Sequence, residues 1–318
     1  MGAREPGQVL EMLEHLWRRY GIRHFFAIDN IMPPGYIDGL FGALAQAHSD
    51  FQLHYEVRPT LTRRQLAGLK RGGIASIQPG VESLSTRLLA ALRKDTTAMR
   101  NLELIKWATY HGIRNLYNLL VRIPGETRED YDAQVALITR IHHLQPPETV
   151  ASLRADRGSP MFQEPARFGI TRFEPARCYA HIYPPDRFDL DRVAYFFDHS
   201  MENVLAEEDY APLRRAVAAW QESWRRPVRP TLLYVKGAQG IRIEDRRTAD
   251  ARIVDCDGLP ARLYEFCGDA RRPGEIAACA GAEADRVEGI LREFVARGLM
   301  VCVDRHYLSL ALPANPHA

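Results

Sequence analysis

Cysteine is scarce in this 318-residue sequence, and the first half of the chain contains none. The five cysteines are Cys178, Cys256, Cys267, Cys279 and Cys302. An odd number of cysteines without a secretion signal indicates free thiols and argues against a disulfide framework. No two of them are spaced as Cys-x2-Cys, so the sequence does not predict a structural zinc site.

Long apolar runs and an excess of one charge are also missing. No run approaches the roughly 20 apolar residues that a membrane helix needs, and the start, Met1-Gly-Ala-Arg-Glu-Pro6, lacks the apolar core of a signal peptide. The 42 Lys and Arg residues nearly balance the 40 Asp and Glu residues, which argues against a nucleic-acid arm or an acidic tail. We therefore expect a cytoplasmic protein with no membrane association.

The stretch from Gly72 to Glu126 carries the most informative pattern in the chain. An apolar run, Gly73–Ser83, ends in Pro-Gly-Val-Glu-Ser, and a β-rich run, Gly112–Thr127, ends in Pro-Gly-Glu-Thr. Between the two runs, apolar residues recur at helical spacing at Leu84, Leu88, Leu92, Met99, Leu102 and Ile105. A strand, a helix and a second strand in this order predict a parallel sheet that is buried on both faces.

Each of these strands is followed by a carboxylate, Glu82 after the first and Glu126 after the second. Because ligands bind beyond the carboxyl ends of parallel strands, the pattern places both carboxylates on one rim. A purely structural interpretation competes with this one. Pro-Gly is common turn chemistry, Thr127–Asp130 has the form of a capping box, and Glu126 would then favour the start of the next helix.

Two phrases carry a resemblance to a known family. Gln78-Pro-Gly-Val-Glu-Ser83 and Asn118-Leu-Leu-Val-Arg-Ile-Pro-Gly-Glu-Thr-Arg-Glu-Asp-Tyr131 resemble the fourth and fifth strands of a radical S-adenosylmethionine (SAM) barrel. They are similar in particular to the cobalamin-binding radical SAM enzymes that modify ribosomally made peptides. The resemblance covers about Pro6 to Ala155, where helix and strand patterns alternate as in an α/β barrel.

The resemblance implies an α/β fold with a partial radical SAM (β/α)6-type, TIM-like barrel. The count of elements starts at a helix, so the barrel lacks its first strand. The expected domains are the partial barrel at 1–160, an irregular and helical connecting segment at 161–228, and a winged-helix-like domain at 229–312. In the connecting segment we expect irregular structure over Phe162–Arg187 and helices over Leu190–Ala206 and Tyr210–Trp224.

The resemblance also implies a SAM site. Its residues would be Asp29, Asn30, Glu82, Ser83 and Asn118 on the SAM side, with Pro124 and Glu126 at the adenine end. Asp29 and Asn30 have a competing interpretation as turn formers ahead of Pro33-Pro34-Gly35. In the connecting segment, His181 and Tyr183 either face substrate over the barrel mouth or simply pack.

The cofactors implied by the family are SAM, a [4Fe–4S] cluster and cobalamin. In the family a Cys-x3-Cys-x2-Cys loop before the helix that starts here at Pro6 holds the cluster. This sequence has no such loop and no cobalamin domain, so we expect no metal ligands within it. We expect a carboxyl-terminal part of such an enzyme, inactive alone in radical chemistry, with a Cys-x3-Cys-x2-Cys loop encoded upstream or in a partner chain that supplies the missing strand.

The last part of the sequence has its own pattern. Strands are predicted at Leu232–Val235, Gly240–Glu244 and Ala251–Asp255, helices at Pro260–Cys267, Pro273–Ala280 and Ala284–Arg297, and a hairpin or strand at Met300–Leu310. This order resembles the winged-helix recognition element of peptide-modifying enzymes. The residues that carry the resemblance are Cys256–Cys267, Arg272–Ala277 and Arg297–Leu299. Such an element binds a leader peptide as an added strand on a sheet edge beside its third helix.

A DNA-reading winged helix is the competing interpretation of this domain. On the third helix, Arg286 and Arg292 are balanced by acidic residues at Glu283, Asp285, Glu288 and Glu293. This balance is unfavourable for phosphate contacts, so a ribosomally made precursor peptide is the expected partner and nucleic acid is not. A purely structural lid is the remaining interpretation.

Three functional hypotheses follow. The first is a radical SAM enzyme of peptide maturation, which performs cobalamin-dependent C-methylation, present here without its cluster loop. The second is a non-catalytic module that binds a leader peptide and serves a partner enzyme. The third is an unrelated barrel enzyme that uses Glu82 and Glu126 as an acid–base pair.

Overall fold

Parallel strands joined by helices build the first half of the chain. The computed structural model describes residues 3–28 and 31–314. The first six strands are β1 His24–Phe26, β2 Gln52–Val57, β3 Ile74–Pro79, β4 Arg114–Asn115, β5 Asn118–Val121 and β6 Thr149–Ser152. The first six helices are α1 Pro6–Tyr20, α2 Leu40–Gln46, α3 Arg63–Arg71, α4 Thr86–Ala91, α5 Ala98–Tyr110 and α6 Arg128–Ile141.

The pairing of these strands is parallel throughout. Strands β1 to β4 form one sheet in chain order, and β5 pairs with β6. Only Leu116 and Tyr117 separate β4 from β5, and a parallel bridge between Glu82 and Leu119 connects the chain after β3 with β5. The predicted parallel sheet is therefore confirmed, and it fits a partial TIM-like barrel.

Local sequence signals explain where these helices begin and end. The Thr62 hydroxyl accepts from the amide of Gln65, and the Gln65 side chain accepts from the Thr62 amide, which forms a capping box at the start of α3. The same device starts α6, where the Asp130 carboxylate accepts from the Thr127 amide at 2.9 Å. Helix α1 ends at Gly21, whose φ of 69° lies in the left-handed region that suits glycine.

The connecting segment contains a small sheet that the sequence pattern did not predict. The elements are β7 Ala155–Asp156, α7 Pro160–Gln163, β8 Ile170–Pro175, α8 Cys178–Ile182, α9 Leu190–Val193, β9 Phe196–Met201 and α10 Ala211–Arg225. The predicted helix Leu190–Ala206 is wrong beyond α9, because β9 pairs antiparallel with β8 and its Phe197 ring stacks on Phe173 at 4.5 Å. The prediction of irregular structure over Phe162–Arg187 is also wrong in part, because β8 lies within that range.

The last part of the chain follows the predicted order of elements. The elements are β10 Thr231–Lys236, β11 Gly240–Arg246, β12 Arg252–Asp257, α11 Gly258–Phe266, α12 Pro273–Ala280, α13 Ala284–Ala296, β13 Met300–Val303, β14 His306–Ser309 and β15 Leu312–Pro313. The main sheet has the order β12-β11-β10-β15, and β13 and β14 form the hairpin. Three antiparallel strands, three helices and a hairpin are thus confirmed as elements.

The first and last parts of the chain share a core. One apolar cluster packs α1 to α3 against the sheet β1 to β4. A larger cluster extends from β5 and α6 through α10 to α11, α13 and β13. Within the larger cluster the Trp220 indole donates to the Leu144 carbonyl at 2.8 Å. None of the helices in the described ranges is long and apolar enough to span a membrane.

A buried lysine fixes α5 to the turn after α11. The Lys106 ammonium donates to the Gly268 carbonyl at 2.6 Å and lies 4.4 Å from the Trp107 ring centroid. Its neighbour Glu103 accepts from the Ala270 amide at 3.0 Å. Burial lowers the pKa of Lys106 to about 7, with the nearby carboxylates of Asp269 and Glu103 opposing that change.

This lysine makes stability depend on pH. Between pH 7 and 9 the folded Lys106 loses its proton while the unfolded one, with an ordinary pKa near 10.4, keeps it. The unfolded state then binds more protons, so the free energy of unfolding rises with pH. We expect a rise of about 2 kcal/mol from this group over that range. In Lys106→Met this contribution disappears. Denaturant unfolding at both pH values measures the difference, and equal pH dependence in the two proteins would contradict the assignment.

Candidate functional site

The carboxyl ends of the parallel strands open into a cavity of about 1000 Å³, here called the rim cavity. Its walls come from the ends of β2 and β3, the link between β4 and β5, and the segment after α4. The lining residues are Ile31, Glu56, Val57, Arg58, Pro59, Thr60, Gln78, Pro79, Gly80, Glu82, Arg93, Lys94, Asp95, Thr96, Arg114, Leu116, Tyr117, Asn118 and Glu148. This is the edge of a parallel sheet at which ligands bind.

Strand pairing places polar side chains side by side below this cavity. Glu56 of β2 pairs in register with Gln78 of β3, and His54 pairs with Ser76 two residues earlier. Because side chains two residues apart share a face of a strand, all four lie on one face. The His54 Nδ1 lies 2.8 Å from the Ser76 hydroxyl, and burial lowers the pKa of His54, which favours a neutral imidazole at pH 7.

The backbone conformation and hydrogen bonding of Glu82 hold it at the rim. Its carbonyl accepts from the Leu120 amide at 2.7 Å, and its φ of 55° turns the chain away from β3. The carboxylate meets the Lys94 ammonium at 3.0 Å, and its side chain is 22% exposed. This pair offers one acceptor and one donor to a ligand at the same point of the cavity wall.

Asn118 lies at the start of β5 and is exposed to the rim cavity. Within the described part of the chain its side-chain amide makes no hydrogen bond. An amide offers both a donor and an acceptor, which suits hydroxyl groups of a ligand. Glu82 and Asn118 are therefore the two predicted SAM-site residues that the structure brings together.

Ser83 follows Glu82 and points into the protein. It is fully buried, and its hydroxyl donates to the Gln134 side chain at 3.1 Å. Asn101 donates to the Ser83 carbonyl at 2.9 Å. These contacts fix the turn after β3 against α5 and α6, and Ser83 does not line the rim cavity.

Glu126 is buried as well, with four hydrogen bonds to its carboxylate. One oxygen accepts from the Ile123 amide at 2.7 Å and from the Tyr131 hydroxyl. The other accepts from the Leu205 amide at 3.1 Å and from the Tyr210 hydroxyl. Burial, and then the Glu126 carboxylate, raise the pKa of both tyrosines, so both phenols stay protonated and donate.

The sequence pattern predicts that Glu82 and Glu126 lie on one rim, but the structure places only Glu82 there. Glu82 lines the cavity, whereas Glu126 and the half-buried Pro124 are not among its lining residues. The two remaining predicted residues, Asp29 and Asn30, lie outside the described residues. The capping box over Thr127–Asp130 is confirmed, so the structural interpretation of the Pro-Gly-Glu segment describes its contacts better.

Several cavity residues were not among the predicted site residues. They are Glu56 and Gln78 on neighbouring strands, and Lys94 and Arg114 at the entrance. The sequence did hold a signal for Glu56. Polar residues alternate with Leu53, Tyr55 and Val57 along β2, which is the pattern of a strand with one wet face.

The site does not fit an iron–sulfur cluster. Such a cluster needs Cys thiolates, and the lining of the rim cavity contains no cysteine. Over residues 3–28 and 31–314, no three His, Cys, Asp or Glu side chains are grouped so that they could hold a metal ion. The polar lining carries carboxylates, cations and amides together, and this set suits a zwitterionic organic ligand.

Comparison with known proteins finds similarity in the first part of the chain and in the fold. Residues 1–138 match the family model of the Radical SAM superfamily. An uncharacterized methyltransferase of Pyrococcus horikoshii is 23% identical over 137 residues, which cover 42% of this chain and 30% of that protein. A radical S-adenosylmethionine methyltransferase of Kitasatospora setae, TsrM, solved with cobalamin and a [4Fe–4S] cluster bound, has a TM-score of 0.52 and 17% identity.

The similarity to TsrM covers 68% of this chain and 47% of that one. The chain thus spans less than half the length of each of these two relatives. At 17% identity the similarity to the solved structure shows a shared fold. The amino-terminal segment therefore matches the radical SAM superfamily in sequence, and the chain shares its fold with a radical SAM methyltransferase.

The contacts of Glu126 predict a large effect on stability. Glu126→Ala leaves four donors, three of them buried, without an acceptor, and we expect a loss of about 4 kcal/mol in the free energy of unfolding. Glu126→Gln keeps the shape but turns one acceptor into a donor, so about 2 kcal/mol should be lost. Urea unfolding measures both changes. Asp132→Ala, at an exposed position of the nearby helix α6, is the control, and equal stability of Glu126→Ala and this control would refute the structural role.

Proposed function

We propose that this chain forms the SAM-binding part of a radical SAM methyltransferase that acts on a ribosomally made peptide. The observation that carries the proposal is the rim cavity at the carboxyl ends of β2, β3 and the β4–β5 link, within a segment that matches the superfamily model. Glu82 and Asn118 stand on its wall at the positions that the sequence resemblance assigns to SAM.

The chemistry of the wall supports SAM as the ligand. SAM carries an ammonium, a sulfonium, a carboxylate and ribose hydroxyls, so it needs acceptors and donors close together. Glu56 and Glu82 supply negative charge, Lys94 and Arg58 supply positive charge, and Asn118 supplies an amide. A volume of about 1000 Å³ is at the upper end of small-molecule sites, which leaves room for a second group beside SAM.

We propose that the cluster and cobalamin are held by residues outside the described part of the chain. TsrM, which has a similar fold, contains both groups. Strand β1 pairs with β2 alone within the described chain, and large apolar side chains beside it are exposed, including Phe26 at 65% and Ile28 at 92%. We propose that a further strand, which carries the cluster thiolates, pairs with this edge, since an open apolar edge is otherwise an aggregation hazard.

A leader-peptide site at the last domain, residues 229–312, is part of the proposal. The sheet order β12-β11-β10-β15 leaves β12 at an edge, and Ile253 on it is 61% exposed. An edge strand with an apolar side chain facing solvent can accept an extended peptide as an added strand. The same edge supports the alternative function, a non-catalytic module that binds a leader peptide for a partner enzyme.

The third hypothesis, an acid–base pair of Glu82 and Glu126, gains no support from the geometry. Both oxygens of Glu126 are occupied by four donors, and the residue does not line the rim cavity. A general acid or base must reach the proton that it transfers. We therefore do not extend this hypothesis.

SAM binding tests the proposal without radical chemistry. We expect the wild-type chain to bind SAM in isothermal titration calorimetry, and Glu82→Gln and Asn118→Ala each to weaken binding by about tenfold, the value of one lost hydrogen bond to a charged group. Asp132→Asn, on an exposed position of α6, should leave the affinity unchanged. Failure of the wild-type chain to bind SAM would leave the leader-peptide module as the better function.

A further inference from the structure

A second cavity of about 830 Å³, here called the arginine groove, adjoins the rim cavity. The two share five wall residues, which are Pro59, Thr60, Lys94, Asp95 and Thr96. The two cavities therefore meet along these shared residues. The groove runs from the rim of the parallel sheet to the turn between α11 and α12 in the last part of the chain.

The two walls of the arginine groove are fixed relative to each other. One wall is formed by the first turns of α3 and α5, and the other by Asp269–Arg272 together with His306. The Glu103 carboxylate accepts from the Ala270 amide, and the buried Lys106 ammonium donates to the Gly268 carbonyl. These bonds tie the α5 wall to the opposite wall, so the groove is a built feature of the interface.

Positive charge in the groove exceeds what its own carboxylates neutralise. The exposed guanidinium groups of Arg64 and Arg100 make no ion pair or hydrogen bond with other described residues. The Arg272 guanidinium contacts the His306 imidazole at 3.1 Å. Three cationic side chains therefore face solvent along one groove without a carboxylate.

Most of the carboxylates of the groove are already engaged. Glu103 accepts from the Ala270 amide, Glu275 accepts from the Arg272 amide at 2.8 Å, and Asp269 lies 3.8 Å from Arg271. Asp95 is the acidic residue left facing the space shared with the rim cavity. The groove thus offers net positive charge to a ligand along most of its length.

We propose that the arginine groove binds an extended acidic peptide segment and leads it from the last domain into the rim cavity. This deepens the proposed function, on which it rests for the peptide as substrate class. A peptide fits better than a nucleic acid because the lining of the groove has no Phe, Tyr or Trp on which bases could stack. Carboxylate side chains are the natural partners of unpaired guanidinium groups.

Fluorescence anisotropy with a labelled decapeptide of alternating Glu and Gly tests this groove. We expect binding to the wild-type chain, a loss of about tenfold in affinity in the double variant Arg64→Ala/Arg100→Ala, and a further loss in Arg64→Glu/Arg100→Glu. Added salt should weaken binding to the wild type. Arg71→Ala, exposed on α3 and outside the groove, is the matched control and should bind as the wild type does.

Two comparison ligands make the result decisive. A decapeptide of alternating Lys and Gly should bind at least about tenfold more weakly than the acidic one, since two guanidinium groups then repel it. Equal binding of both peptides, full affinity in the double alanine variant, or tighter binding of a single-stranded oligonucleotide would overturn the proposal.

SAM titration of the same variants separates the two proposals. We expect SAM affinity to be unchanged in Arg64→Ala/Arg100→Ala, because neither arginine lines the rim cavity. Loss of peptide binding with unchanged SAM binding supports the groove. If the wild type binds the acidic peptide selectively but does not bind SAM, the proposed function is contradicted. The assignment of the arginine groove as a peptide site would still stand.

Discussion

The buried carboxylate of Glu126 joins its own neighbours in the sequence to a segment that lies 79 to 84 positions further along the chain. It accepts from the loop after β5 at Ile123, from α6 at Tyr131, and from the entry to α10 at Leu205 and Tyr210. A buried charge is tolerated only when its hydrogen bonds are complete. This constraint fixes the second half of the parallel sheet against α10, and α10 in turn shares its core with the last part of the chain.

The candidate site depends on that constraint through strand pairing. β5 holds the chain after β3 by the bridge between Leu119 and Glu82, and Glu82 thereby reaches the rim cavity. Lys94, the ion-pair partner of Glu82, faces both the rim cavity and the arginine groove. The half-buried Glu103 and the buried Lys106 each bind the backbone of the far wall of that groove. The polar contacts of Glu126 and those of Glu103 and Lys106 therefore position the walls of the rim cavity and the arginine groove.

Much of the fold could be predicted because its signals are local. The capping boxes at Thr62 and Thr127 and the apolar stripe of α13 are read from residues a few positions apart. The roles of Ser83 and Glu126 could not be predicted in this way. Their partners Gln134 and Tyr210 lie 51 and 84 positions further along the chain, and only the fold brings them together. Strand β9 was missed for a similar reason, since its pairing with β8 and its ring stacking override a weak helical pattern.

The central claim is that SAM binds at the carboxyl ends of β3 and the β4–β5 link. Hydrogen exchange of the intact chain, measured by mass spectrometry with and without saturating SAM, tests it most directly. The account predicts slower exchange at the amides of residues 78, 80–82 and 116–119, with little change in α13. Protection confined to other parts of the chain, or no protection at these amides at saturation, would contradict it.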